Sequence, residues 1–121
     1  GKPVTFGDLF GADWKTMPVA KAISDALCAD LRTRKAARLS ENGVEPYPFE
    51  CPDIAGLPWT LEPGSDPAKV ASLLFHLDAY VIGSHAEGPY TGQVDHAVFR
   101  DALQPRFKAL FGGTMVRIDD L

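Results

Sequence analysis

The sequence predicts a mainly α domain: three to four helices in an orthogonal or bundle-like arrangement, with a long Pro-rich ordered loop and at most a short terminal β pairing. Three observations carry this expectation. Apolar residues recur at helical spacing from Val19 to Leu31 and again from Val70 to Val81. Between them Pro46, Pro48, Pro52 and Pro58 exclude a helix or a central strand. Beyond them, Gly-rich turns separate short apolar runs. The 121 residues match one helical domain, 1–121, large enough to bury a core without a staple. The chain starts at Gly1 rather than Met, so a tag remnant, a processed end and an excerpt of a longer protein all stay open.

Each element has its own signal. Residues Gly1 to Thr16 mix turns with Phe6, Leu9, Phe10 and Trp14, aromatics expected to cover an edge of the core. Pro18 suits the first turn of a helix running to about Leu39, with Val19, Ile23, Ala26, Leu27 and Leu31 inward and Asn42-Gly43 at its end. Arg34 and Arg38 fall on the same side as Ile23, Leu27 and Leu31. The last two turns are therefore expected to overhang the core, with these arginines either paired to the domain's own acids or offered to a partner. Residues 45–62 place Tyr47, Phe49 and Trp59 among the prolines, a density that favours an ordered loop wrapping a helix face over a disordered linker. Ser65-Asp66-Pro67 reads as the start of a second, central helix ending at Gly83. A third is expected from Val94 to Leu103 and a short fourth after Pro105. Met115 to Ile118 alternates weakly, as a short strand pairing with Pro3 to Phe6 would.

Charge is the most polarised feature. From Glu41 to Phe99 there are nine acids and one base, Lys69, while four cations lie between Arg32 and Arg38. The net charge of -4 argues against general nucleic-acid binding, which needs a basic face for phosphates. No apolar run approaches the ~20 residues of a membrane span. Cys28 and Cys51 are too few for a disulfide framework, so reduced thiols in the cytoplasm are expected, with one bond left open. As a nucleophile neither is favoured. Cys28 lies on an apolar helix side, and Glu50 and Asp53 disfavour a thiolate at Cys51. Gly83, Gly88 and Gly92 lack the Lys-Ser or Lys-Thr of a phosphate loop, and no cofactor is implied.

His76, His85 and His96, with Asp78, Glu87 and Asp95 nearby, are the residue types of a hydrolytic metal site, but their spacing lacks the i, i+4 pairing that puts two ligands on one helix face. No metal is therefore assigned. The reading that follows is a non-enzymatic protein-protein interaction module, such as an inhibitor, adaptor or assembly component. Its acidic face would take a basic protein partner, or a second copy of itself through the Arg32 to Arg38 knob. Arg34, Arg38, Tyr47, Phe49 and Trp59 are the expected contact residues. The alternative is a small metal-dependent hydrolase using His76, His85 and His96.

Overall fold

A reciprocal capping pair starts the first helix of the computed structural model, which describes residues 3–119. The Asp8 N–H donates to Thr5 Oγ1 at 3.1 Å and the Thr5 N–H to Asp8 Oδ2 at 2.9 Å, opening α1 (Phe6–Phe10). This short helix buries Phe6, Leu9 and Phe10, and Trp14 in the next turn packs on Phe6 at 4.8 Å between ring centroids. Pro18 then occupies the first turn of α2 (Pro18–Glu41), whose buried stripe includes Val19, Ile23, Leu27 and Leu31. Gly43, at φ 71°, takes the chain out of this helix in the left-handed region that glycine tolerates.

The second layer is a three-stranded antiparallel sheet in the order β1 (Trp59–Pro63), β2 (Val70–Leu77), β3 (Tyr90–Asp95). Trp59 sits opposite Phe75 and Phe75 opposite Gly92, which fixes the face that meets α2. Leu73, Phe75, Leu77, Tyr90 and Val94 join the helix stripe in one hydrophobic core. A Cβ on Gly92 would lie 2.4 Å from Leu27 Cδ1 and 3.1 Å from Leu31 Cδ2, so glycine lets the helix settle onto β3. Gly92→Ala is expected to cost about 1–3 kcal/mol through overpacking. Urea unfolding measures it, and an unchanged midpoint would mean that the helix gives way freely.

The expected bundle of three to four helices is thus replaced by one long helix on a sheet, and the sheet is no short terminal pairing. The predicted second helix is β2. Its apolar run is buried at most positions, on both faces of a central strand, so no polar alternation reveals its period. Ser65-Asp66-Pro67 is a turn rather than a helix start: Asp66 Oδ1 accepts from the Ala68 N–H at 2.9 Å and its carbonyl from the Lys69 N–H at 3.0 Å. Where the third helix is predicted, from Val94 to Leu103, the chain instead ends β3 at Asp95 and makes single 3₁₀ turns at His96–Val98 and Arg100–Ala102. After Pro105 a short helix does form, α3 (Pro105–Lys108). Residues 115–118 form no strand with Pro3 to Phe6; the segment is held instead by the Ser65 N–H on Thr114 O at 2.9 Å and by side chains described below.

Between α2 and β1, residues 42–58 form a strap that runs back along the helix. Its tie is a disulfide between Cys28 on α2 and Cys51, with Cα atoms 5.6 Å apart, which corrects the expectation of reduced thiols. Ile54, 5% exposed, anchors the strap's far end in the core. The prolines leave room for β1 only as an edge strand, with a register shift between Glu62 and Pro63. Among the described residues, no helix is long and apolar enough to cross a membrane.

Candidate functional site

Helix α2 continues its inward stripe beyond Leu31 with cations, and the sheet supplies their partners. Arg34 is 2% exposed. Its Nε donates to Asp30 Oδ2 at 2.8 Å, Nη1 to Thr91 Oγ1 at 3.0 Å and Ile118 O at 2.7 Å, and Nη2 to Gln93 Oε1 at 3.1 Å. Asp30 Oδ2 also accepts the backbone N–H of Gln93 at 2.8 Å, so a helix carboxylate takes up a donor on the outer edge of β3. Gln93 in turn donates from Nε2 to Ser72 Oγ at 3.2 Å and Val116 O at 3.0 Å, and its Oε1 accepts from the Ile118 N–H at 2.7 Å. Helix, sheet and C-terminal segment are joined through one guanidinium and one amide.

One residue on, Lys35 is also 2% exposed and serves a different segment. Its Nζ donates to Ile82 O at 2.5 Å and Glu87 Oε1 at 2.9 Å, both in the connection of residues 78–89 between β2 and β3. Three aromatic rings surround the ammonium: Tyr47 at 4.1 Å from the centroid, Phe49 at 5.6 Å and Tyr90 at 5.9 Å. Glu87 accepts further bonds from the Tyr90 hydroxyl at 2.9 Å, the Ser84 N–H at 2.7 Å and the Tyr47 hydroxyl. Burial alone would raise the pKa of this carboxyl, but the bonds from Lys35, Tyr47, Ser84 and Tyr90 outweigh it and hold the group well below the ordinary 4.5. Arg38 completes the brace, donating to Glu87 O at 2.7 Å and Pro89 O at 2.8 Å with its guanidinium 3.7 Å from the centroid of the Tyr90 ring.

This brace supports a connection far longer than the two to five residues of an ordinary hairpin. Ile82 is buried, while Tyr80 beside it is 71% exposed and Val81 42%. Tyr80 sits at φ 80°, a region that bulky side chains rarely adopt. Strain of this kind persists where the surroundings over-determine it. On the strap, Val44 and Tyr47 are also exposed, and with Ser84, Ala86 and Glu87 they line a cleft of about 340 Å³. Glu41, Glu45, Glu50 and Asp53, at the end of α2 and along the strap, are exposed.

The expected contact residues divide. Tyr47 reaches the surface. Phe49 and Trp59 are partly buried against the core, and Trp59 stacks on Phe6 at 4.6 Å between centroids. Arg34 and Arg38 hold groups of the domain itself, so the Arg32 to Arg38 cluster is folded inward rather than displayed as a knob; Arg32 is its exposed member. His76 lies opposite Thr91 and contacts Thr60 Oγ1 at 3.4 Å, while His96 follows the opposite end of the same ladder and meets Gly113 O at 3.0 Å. The side chain of His85 lies outside the described residues. Among those described, no three His, Cys, Asp or Glu side chains gather as metal ligands.

Tyr80, Val81 and Glu87 are the surface and brace residues that sequence reasoning missed. Gly83, where a Cβ would fall 2.6 Å from Glu87 Oε1, marks the tight packing of this connection, but a glycine in a polar turn does not announce it. Comparison of the chain with protein-family models, curated proteins and solved structures returns no match, so the site is read from its own chemistry.

Proposed function

We propose that this domain is a non-enzymatic protein-binding module, an inhibitor, adaptor or assembly component, that docks a partner with a basic surface. The observation that carries the reading is Tyr80: a large aromatic side chain, 71% exposed, held in a costly backbone conformation on a loop braced by a buried ion pair. A rigid aromatic offered this way loses little freedom when it enters a partner's pocket, which is how binding hot spots gain their energy. The exposed Glu41, Glu45, Glu50 and Asp53 supply the charge that steers a basic partner and raises its on-rate. The inward folding of Arg34, Lys35 and Arg38 strengthens this, because it leaves Arg32 as the exposed cation beside the strap's acids. Self-association through an arginine knob has no such support.

The Cys28–Cys51 bond supports an oxidising compartment in place of the expected cytoplasm. The test is a pull-down from the native host at low salt with wild type, Tyr80→Ala and Glu45→Gln/Glu50→Gln side by side. A partner that binds wild type is expected to lose about 30-fold in affinity to Tyr80→Ala, the scale of a hot spot. The charge variant is expected to slow association and flatten the salt dependence. Equal binding by all three proteins at both low and high ionic strength would end the reading.

A further inference from the structure

We infer that the Cys28–Cys51 disulfide is a redox latch for the docking surface, an inference about regulation that rests on the reading above. Three features of the strap point to it. Among the described residues, 45–52 make no backbone–backbone hydrogen bond, so this stretch is fastened by its side chains. Those fastenings are the disulfide at Cys51, the packing of Phe49, and Tyr47, whose ring covers Lys35 and whose hydroxyl donates to Glu87. Glu87 helps to prop the loop carrying Tyr80 and Val81, through the Ser84 N–H and through Lys35, whose Nζ also holds Ile82 O. The covalent tie at Cys51 therefore holds Tyr47 against the brace, and the brace holds the loop.

The two sulfurs are also unequal. Cys28 is 3% exposed, whereas Cys51 is exposed and its Sγ lies 3.5 Å from Arg32 Nη2. A thiolate of an external dithiol attacks Cys51 Sγ; the protein S–S bond breaks, and the Cys28 sulfur leaves with the electron pair and takes a proton. The dithiol's second thiol, as thiolate, then attacks its own partner sulfur in the mixed disulfide, closing an external disulfide and releasing Cys51 as a thiolate beside the Arg32 guanidinium. Two electrons pass from the dithiol to the protein, and Arg32 favours the second departure because a cation stabilises a leaving thiolate. In the open form the strap swings from α2 and the loop loses the Tyr47 bond at its base.

Amide hydrogen exchange on the oxidised protein, on the protein reduced with dithiothreitol, and on Cys28→Ser/Cys51→Ser tests this without any partner. In both open forms the Ser84 and Glu87 amides are expected to exchange at least tenfold faster, while Leu73 and Phe75 in β2 keep their protection. A glutamyl endopeptidase is expected to cut after Glu50 at least tenfold faster. Tyr47→Phe, with the disulfide intact, is expected to reproduce the faster exchange at Ser84 and Glu87 but not the cleavage. Loss of protection in β2 together with the loop would make the bond a global staple and overturn the latch. So would a freed strap with an unchanged loop. Neither result bears on Tyr80→Ala in the binding assay, so failure of the latch and failure of the docking reading are separable.

Discussion

Replacing Arg34 with methionine is expected to destabilise the domain by about 3–5 kcal/mol, the range for removing one member of a buried ion pair. The volume is nearly kept, so the loss is electrostatic and polar. Asp30 loses its counter-charge, and Thr91 Oγ1, Gln93 Oε1 and Ile118 O each lose a donor. Arg34→Lys is expected to recover only part of this, because a single ammonium cannot reach helix, strand and C-terminal segment together as a planar fork does. Urea unfolding of the three proteins measures the effect. A cost below about 1 kcal/mol for methionine would show that water replaces the guanidinium at little penalty. Faster tryptic cleavage after Arg117 in the methionine variant would show that Arg34 also holds the C-terminal segment.

Lys35→Met is expected to cost about 3 kcal/mol for a related reason: it strands the Glu87 carboxylate, 8% exposed, without its cation. The double variant Lys35→Met/Glu87→Gln is expected to be more stable than Lys35→Met alone, since no buried charge is left unpaired. The same pair sets an acid limit. Glu87 titrates below its ordinary value in the folded protein, so its contribution to stability is full above pH 4.5 and drains away as the pH falls below that value. In Lys35→Met the bond from Lys35 is gone and the folded carboxyl titrates closer to its unfolded value or above it, so less stability depends on its ionisation, and the deficit relative to wild type is expected to be largest near pH 7 and to shrink as the pH falls below 4.5. Urea unfolding followed by circular dichroism at a series of pH values reads this. A deficit that stays constant with pH would mean that Tyr47, Tyr90 and the Ser84 N–H suffice to hold the charge.

The sequence made α2 legible because Pro18, a stripe at helical spacing and Asn42-Gly43 all agree on one element. It hid the sheet for physical reasons. In β2, Val70, Leu73, Leu74 and Leu77 fit a helical stripe as well as they fit a strand buried on two faces, and the Ser-Asp-Pro turn before them resembles a helix start. In β3, Gly92 is a poor strand former, and it stands there for the close approach of Leu27 and Leu31, a tertiary demand that local propensity cannot display. Arg34 falls on the inward stripe, but the overhang expected of the last two turns does not occur, because the sheet and the C-terminal segment bury it. Its partners Thr91 and Gln93 could not be named, because they converge only once β3 exists. The same holds for Cys51, whose distance from Cys28 in the chain conceals that the strap doubles back along the helix. The brace at Glu87 depends on the long connection between β2 and β3, which an expected helix ending at Gly83 and another starting at Val94 leave no room to foresee.

The outer rim of β1 carries a consequence for behaviour at high concentration. Pro58 precedes the strand, Pro63 ends it at a shifted register, and Glu62 adds charge between them. A visiting strand from another molecule would find neither a long run of amide donors nor a neutral margin to zip against, so growth of the sheet by lateral polymerisation stops at its first step.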